Sequence, residues 1–139
     1  MHPMPLQLRI ENKPGYLHAY VTGENTPANI RRYLSEVRSA CAERKCPVVL
    51  VEENLQGPGL SIARIHQIVT EASEDVWPTV QCIAAVDVNP EHDYKNMKFA
   101  ETVALNRGVN VRVFRTVDEA RSWLLKQIDA RSPGGERDA

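Results

Sequence analysis

The sequence predicts one α/β domain: a mostly parallel, mixed sheet with flanking helices, opening with an antiparallel β-hairpin, in the order ββαβαβαβα. Three observations predict it. From Thr26 onwards short apolar runs alternate with segments of helical periodicity, the pattern of strand–helix–strand units in a parallel sheet. Val48-Val49-Leu50-Val51 is apolar at every position, as in strands covered on both faces. Asn12-Lys13-Pro14-Gly15 separates two alternating segments near the start and has the chemistry of a tight turn.

Each element has its own local justification. Leu6, Leu8 and Ile10 alternate with polar residues and predict the first strand, and Tyr16 to Thr22 the second. Thr26-Pro27 has the form of a helix N-cap followed by proline in the first turn. Ile30, Leu34, Val37 and Cys41 then share one face of helix one. After Val48–Val51 a polar, glycine-rich loop is expected from Glu52 to Gly59, followed by a second helix turning Ile65, Ile68, Val69 and Ala72 inward. Val80 to Val88 predicts the next strand. Asn89-Pro90 is expected to start helix three, with Met97, Ala100 and Ala104 on one face and Gly108 ending it. Val109, Val111 and Val113 alternate with Asn110, Arg112 and Phe114 as a last strand. Thr116 and Glu119 have capping-box spacing, and Val117, Ala120, Leu124 and Ile128 share a helical face with Trp123 beside it. The domain is expected over residues 6–130, with residues 1–5 an N-terminal extension and the polar 131–139 a disordered tail.

Composition narrows the function classes. The 139 residues suit one domain with a real core, and 42% apolar with 25% charged residues is ordinary for a globular protein. Seventeen basic against eighteen acidic residues give a formal charge of −1, so no basic stripe points to nucleic acid. No apolar run approaches the roughly 18 residues that span a bilayer, and Met1-His2-Pro3-Met4-Pro5 lacks the regions of a signal peptide. A cytoplasmic protein is expected. Cys41, Cys46 and Cys82 form no CxxC pair and read as small hydrophobes in a reducing compartment.

The hairpin start, the polar loop before helix two and the ending Phe114…Ala120…Trp123-Leu124 resemble the SpoIIAA-like branch of the STAS family, which is bacterial. The resemblance spans roughly Leu6 to Ile128. STAS domains occur in anti-sigma-factor antagonists and at the ends of sulfate transporters, so the resemblance implies a regulatory, non-catalytic module. In the signalling members the loop before helix two resembles Asp-Ser-Ser-Gly-Leu, and a serine in it is phosphorylated. Here the matching stretch is Gln56-Gly57-Pro58-Gly59-Leu60: the Gly-Leu pair is present, but Gly57 and Pro58 occupy the serine positions. The phosphorylation switch does not carry over, and Ser61, two residues beyond Gly59, would need a different geometry to replace it.

The candidate binding residues lie at two strand ends, where open α/β sheets hold ligands. They are Glu52, Glu53, Asn54, Gln56, Gly57, Gly59 and Ser61 in the first loop, and Asp87 and Asn89 at the next strand end. Gly57 and Gly59 permit close backbone approach, although a glycine–proline connector without a ligand accounts for the same residues. The acids suit Mg²⁺ in principle, but Asn89 reads equally as a helix cap, and no cofactor is expected. His18, His66 and His92 have no metal-ligand spacing, and no GxSxG elbow supports a hydrolase. A phospho-receiver domain would need acids after the first strand, where this chain has a hairpin. Trp77-Pro78 is expected to pack a helix-to-strand turn, and Trp123 to seal the last helix. Two functions remain: a module that binds another protein, or a binder of an anionic, nucleotide or lipid-like small molecule. An apolar pocket lined by helices two and three would favour the second, and an exposed hairpin edge offers a route to a homodimer.

Overall fold

A computed structural model describes residues 4–74 and 80–131. The elements are β1 (Gln7–Lys13), β2 (Tyr16–Glu24), α1 (Pro27–Glu43), β3 (Val48–Gln56), α2 (Ile62–Glu74), β4 (Cys82–Asp87), α3 (Tyr94–Asn106), β5 (Val111–Phe114) and α4 (Val117–Arg131), in the predicted order. The five strands form one sheet with spatial order β1-β2-β3-β4-β5. The β1–β2 hairpin is antiparallel, and every other pair is parallel.

Local chemistry explains the element ends. Thr26 Oγ1 accepts from Asn29 N at 3.1 Å ahead of Pro27. Thr116 Oγ1 accepts from Glu119 N at 3.2 Å, so the threonine side of the capping box forms. Gly108, at φ 86°, follows α3 as expected. Gly23 is compulsory for a different reason: at φ 133° a Cβ there would lie 2.7 Å from the Pro5 carbonyl oxygen.

Alternation divides the sheet into two faces. On one, Leu17, Ala19, Val21, Val49, Val51 and Leu55 pack against Tyr33, Val37, Ala40 and Cys41 of α1. α2 and α3 continue this layer over β4 and β5. On the other face Val48, Leu50, Cys82, Ala84 and Val86 pack against Ala120 and Leu124 of α4, with Val117, Trp123 and Ile128 at the margin. Cys41 and Cys82 are buried, and burial pushes the Cys41 thiol up to about 11. α2 is held differently from the rest, since Ile68 is its single fully buried side chain.

Two boundaries depart from expectation. The stretch from Glu52 to Gln56 is strand, not loop: β3 continues in parallel register with β2 as far as Glu24 opposite Gln56. Pairing overrides the poor strand propensity of Glu and Asn, and buried Leu55 anchors the extension. Helix three begins at Tyr94, not at Asn89-Pro90, and its cap is Asp93, whose side chain accepts from Lys95 N at 2.9 Å. The strand read as Val80 to Val88 is the shorter β4. Trp77-Pro78 and residues 132–139 of the expected tail lie outside the described residues.

Candidate functional site

Strand β4 shows where the interior opens. Cys82, Ala84 and Val86 are fully buried beneath α4, whereas Ile83, Ala85 and Asp87, pointing the other way, are half-buried. Those three floor a cavity of about 190 Å³. Ile65, Ile68, Val69 and Ala72 of α2 and Met97, Ala100 and Ala104 of α3 wall it, the residues that periodicity assigns to the inner faces of those helices. The small side chains at Ala72, Ala85, Ala100 and Ala104 leave space that larger aliphatics would fill.

One end of the cavity is polar. Glu53 of β3 pairs in register with Asp87 of β4, so both carboxyls point to the cavity side of the sheet. Glu53 is only 8% exposed, and Tyr33 of α1 donates its hydroxyl hydrogen bond to Glu53 Oε2. Burial pushes the Glu53 carboxyl up to about 7; the nearby Asp87 charge adds to this, and the Tyr33 bond opposes it. The Tyr33 hydroxyl is itself held well above its usual value by burial and by Glu53.

His92 closes this end. Its Nδ1 lies 2.7 Å from Asp87 Oδ2 and its Nε2 2.7 Å from the Gly57 carbonyl oxygen. Both neighbours are acceptors, so both ring nitrogens are placed to donate, which favours the imidazolium. Burial lowers the pKa of His92, but the Gly57 carbonyl and Asp87 outweigh it and the net shift is upward. Gly57 presents that carbonyl from φ 106°. Asn89 locks the neighbouring strand ends together: its amide donates to Leu55 O at 2.8 Å, and its own N–H donates to Asp87 Oδ1 at 3.0 Å.

The structure therefore sorts the predicted residues. Glu53, Asp87 and Gly59 line the cavity, Gly57 holds His92, and Asn89 braces the strand ends. Ser61 accepts from Arg64 N at 3.2 Å and caps α2. Glu52 and Asn54 belong to the opposite face because they alternate with Glu53 along a strand, so the expectation that Glu52 and Glu53 share an edge with Asp87 is corrected. Gln56 lies at the end of β3 with its amide bonded to Asn54 Oδ1 at 3.1 Å.

Glu52 instead meets His18, whose Nε2 is 2.9 Å from Glu52 Oε1 and whose ring stacks on Tyr20 with centroids 4.0 Å apart. Burial lowers the pKa of His18 against the raising effect of Glu52, and its Nδ1 has no hydrogen-bond partner among the described residues. Both facts fit a neutral imidazole donating from Nε2. Among the described residues no three His, Cys, Asp or Glu side chains are grouped to hold a metal ion. Sequence reasoning missed Tyr33 and His92. Tyr33 was within reach of it, being one helical turn before Val37; nothing local marks His92.

Neither a protein-family model nor a curated protein matches the chain. Among solved structures it is similar to the crystal structure of an anti-sigma factor antagonist from Mycobacterium paratuberculosis. The TM-score is 0.55 at 15% identity, over 87% of this chain and 95% of the other. This likeness shows the fold, and it is the one that the STAS resemblance implies.

Proposed function

We propose that the protein is a non-catalytic, STAS-like regulatory module that acts by binding a small molecule in the cavity beneath α2 and α3. The cavity itself carries this reading: apolar walls with a few convergent polar groups at one end are the usual form of a small-molecule site. A non-catalytic role follows from how those groups are used. Tyr33 and Glu53 are bonded to each other, and both nitrogens of His92 are engaged by Asp87 and Gly57. None is left as a poised base or nucleophile. Native mass spectrometry of gently purified protein, compared with the denatured mass, tests it. Excess mass lost on denaturation is the expected result; a bare chain that also fails to take up any apolar probe removes it.

A protein partner is the second reading, favoured by the likeness to an anti-sigma factor antagonist. With Gly57 and Pro58 in the serine positions, such a partner would be engaged without the phosphoserine switch. Affinity capture that yields one specific protein, lost on Gly59→Asp, supports it, and capture of no specific protein opposes it. We place the protein in the cytoplasm; no helix among the described residues is long and apolar enough to cross a membrane. Arg9, Glu11 and Lys13 along the β1 edge disfavour dimerisation by strand pairing, and the native mass reads that out as well.

A further inference from the structure

The chemistry of the ligand can be narrowed, on the footing that the cavity is a binding site. We infer that it selects a compact apolar molecule with one hydrogen-bond-donating head, best a protonated amine, which Glu53 accepts, and that it rejects anions.

Size comes first. A cavity of about 190 Å³ lies a little above the roughly 150 Å³ engineered cavity that binds benzene and below the roughly 300–1,000 Å³ of drug-sized sites. One ring or a short branched chain fits, whereas a nucleotide does not.

Charge decides the head group. The acids on the wall are Glu53, Asp87 and Glu101. Glu101 is satisfied, with Lys98 Nζ at 2.7 Å on one oxygen and Val113 N at 2.8 Å on the other. Asp87 is satisfied by His92 and Asn89 N. Glu53 is not: Tyr33 occupies Oε2, and Oε1 has no hydrogen-bond partner among the described residues although the residue is more than nine-tenths buried. Donors for an anion are scarce, because His92 and Tyr33 already spend theirs on Asp87, Gly57 and Glu53. The uncharged Asn25, Asn96 and Ser73 complete the polar lining, and the Asn25 amide is committed to Pro58 O at 2.9 Å. An incoming carboxylate would be desolvated beside Glu53 and Asp87, whereas an ammonium gains a charge-assisted bond in a site of low dielectric.

The test uses the full chain and four probes on one frame: toluene, benzyl alcohol, benzylamine and benzoate. They are titrated by NMR at mildly alkaline pH, where Glu53 is ionised. Toluene is expected to shift the methyl resonances of Ala85 and Ala100. Benzylamine is expected to bind about tenfold tighter than toluene or better, a gain of about 1.4 kcal/mol, with benzyl alcohol between them and benzoate weakest. Glu53→Gln keeps the shape, so toluene should still bind while the amine advantage falls to about threefold or less. Benzoate binding as tightly as benzylamine, or an amine advantage that survives Glu53→Gln, overturns the selectivity and leaves the cavity standing. Failure of every probe, toluene included, overturns the binding reading and the selectivity with it.

Discussion

Ala84 and Ala85 are consecutive residues of one strand, and they look into different interiors. Ala84 is fully buried against Leu50, Ala120 and Leu124 on the α4 face. Ala85 is half-buried on the floor of the cavity beneath α2 and α3. The α4 face is packed in the manner of an organic crystal, where every methylene counts. The α2–α3 face keeps its apolar surface and leaves room beside it. One sheet thus separates the work: stability is concentrated on one side, and recognition is afforded on the other without loosening the first.

Truncation is the strongest test of that contrast. Leu50→Ala should cost about 3–5 kcal/mol of unfolding free energy, as for a fully buried leucine whose site cannot collapse. Val69→Ala, on the cavity wall, should cost about 1 kcal/mol, because the lost methyls already face open space. Equal costs in urea unfolding would show the two faces to be packed alike.

Glu53 supplies the next largest effect. Its folded-state carboxyl titrates near about 7 against an ordinary 4.5, so the folded state holds a proton that the unfolded state releases. Stability from this group therefore falls as pH rises from about 4.5 through about 7, by ~3 kcal/mol in all. His92 acts in the same direction: its raised pKa gives stability that is complete below its ordinary value and lost as pH rises through the folded one. The protein should melt higher at mildly acidic than at mildly alkaline pH, and Glu53→Gln should flatten most of that slope. A slope unchanged in Glu53→Gln would mean that the carboxyl is hydrated.

Filling rather than emptying sharpens the comparison at adjacent residues. Ala84→Leu should overpack the α4 face and cost about 1–3 kcal/mol. Ala85→Leu should change stability by less than about 1 kcal/mol while abolishing toluene uptake. Thermal melts of the pair, with and without toluene, distinguish them. Smallest is Gly57→Ala: no atom lies within 4 Å of the added Cβ, so the backbone strain at φ 106° acts alone and costs about 1 kcal/mol. It should also disturb the His92 contact, visible as a lower histidine pKa by NMR.

The element order was legible because each helix and strand carries its own periodicity, and the inner faces of α2 and α3 were legible for the same reason. The start of α3 was not. Asn89-Pro90 has the local form of a cap, but the Asn89 amide is claimed by the carbonyl of Leu55, 34 residues away. Glu52 and Glu53 look like one acidic pair until the strand is known to continue through them, after which alternation sends them to opposite faces. The cavity is a property of volumes meeting in space, and the alanines that create it at positions 72, 85, 100 and 104 read in the sequence as ordinary core.

α2 is pinned by one fully buried side chain, Ile68. The free energy of opening locally tracks buried apolar contact, so its amides should exchange with solvent sooner than those of β3 or β4. The wall that costs least to lift is the wall that faces the cavity. A guest can then enter and leave by a fluctuation of one helix, on a timescale set well below that of global unfolding, while the strands carrying Glu53 and Asp87 keep their register.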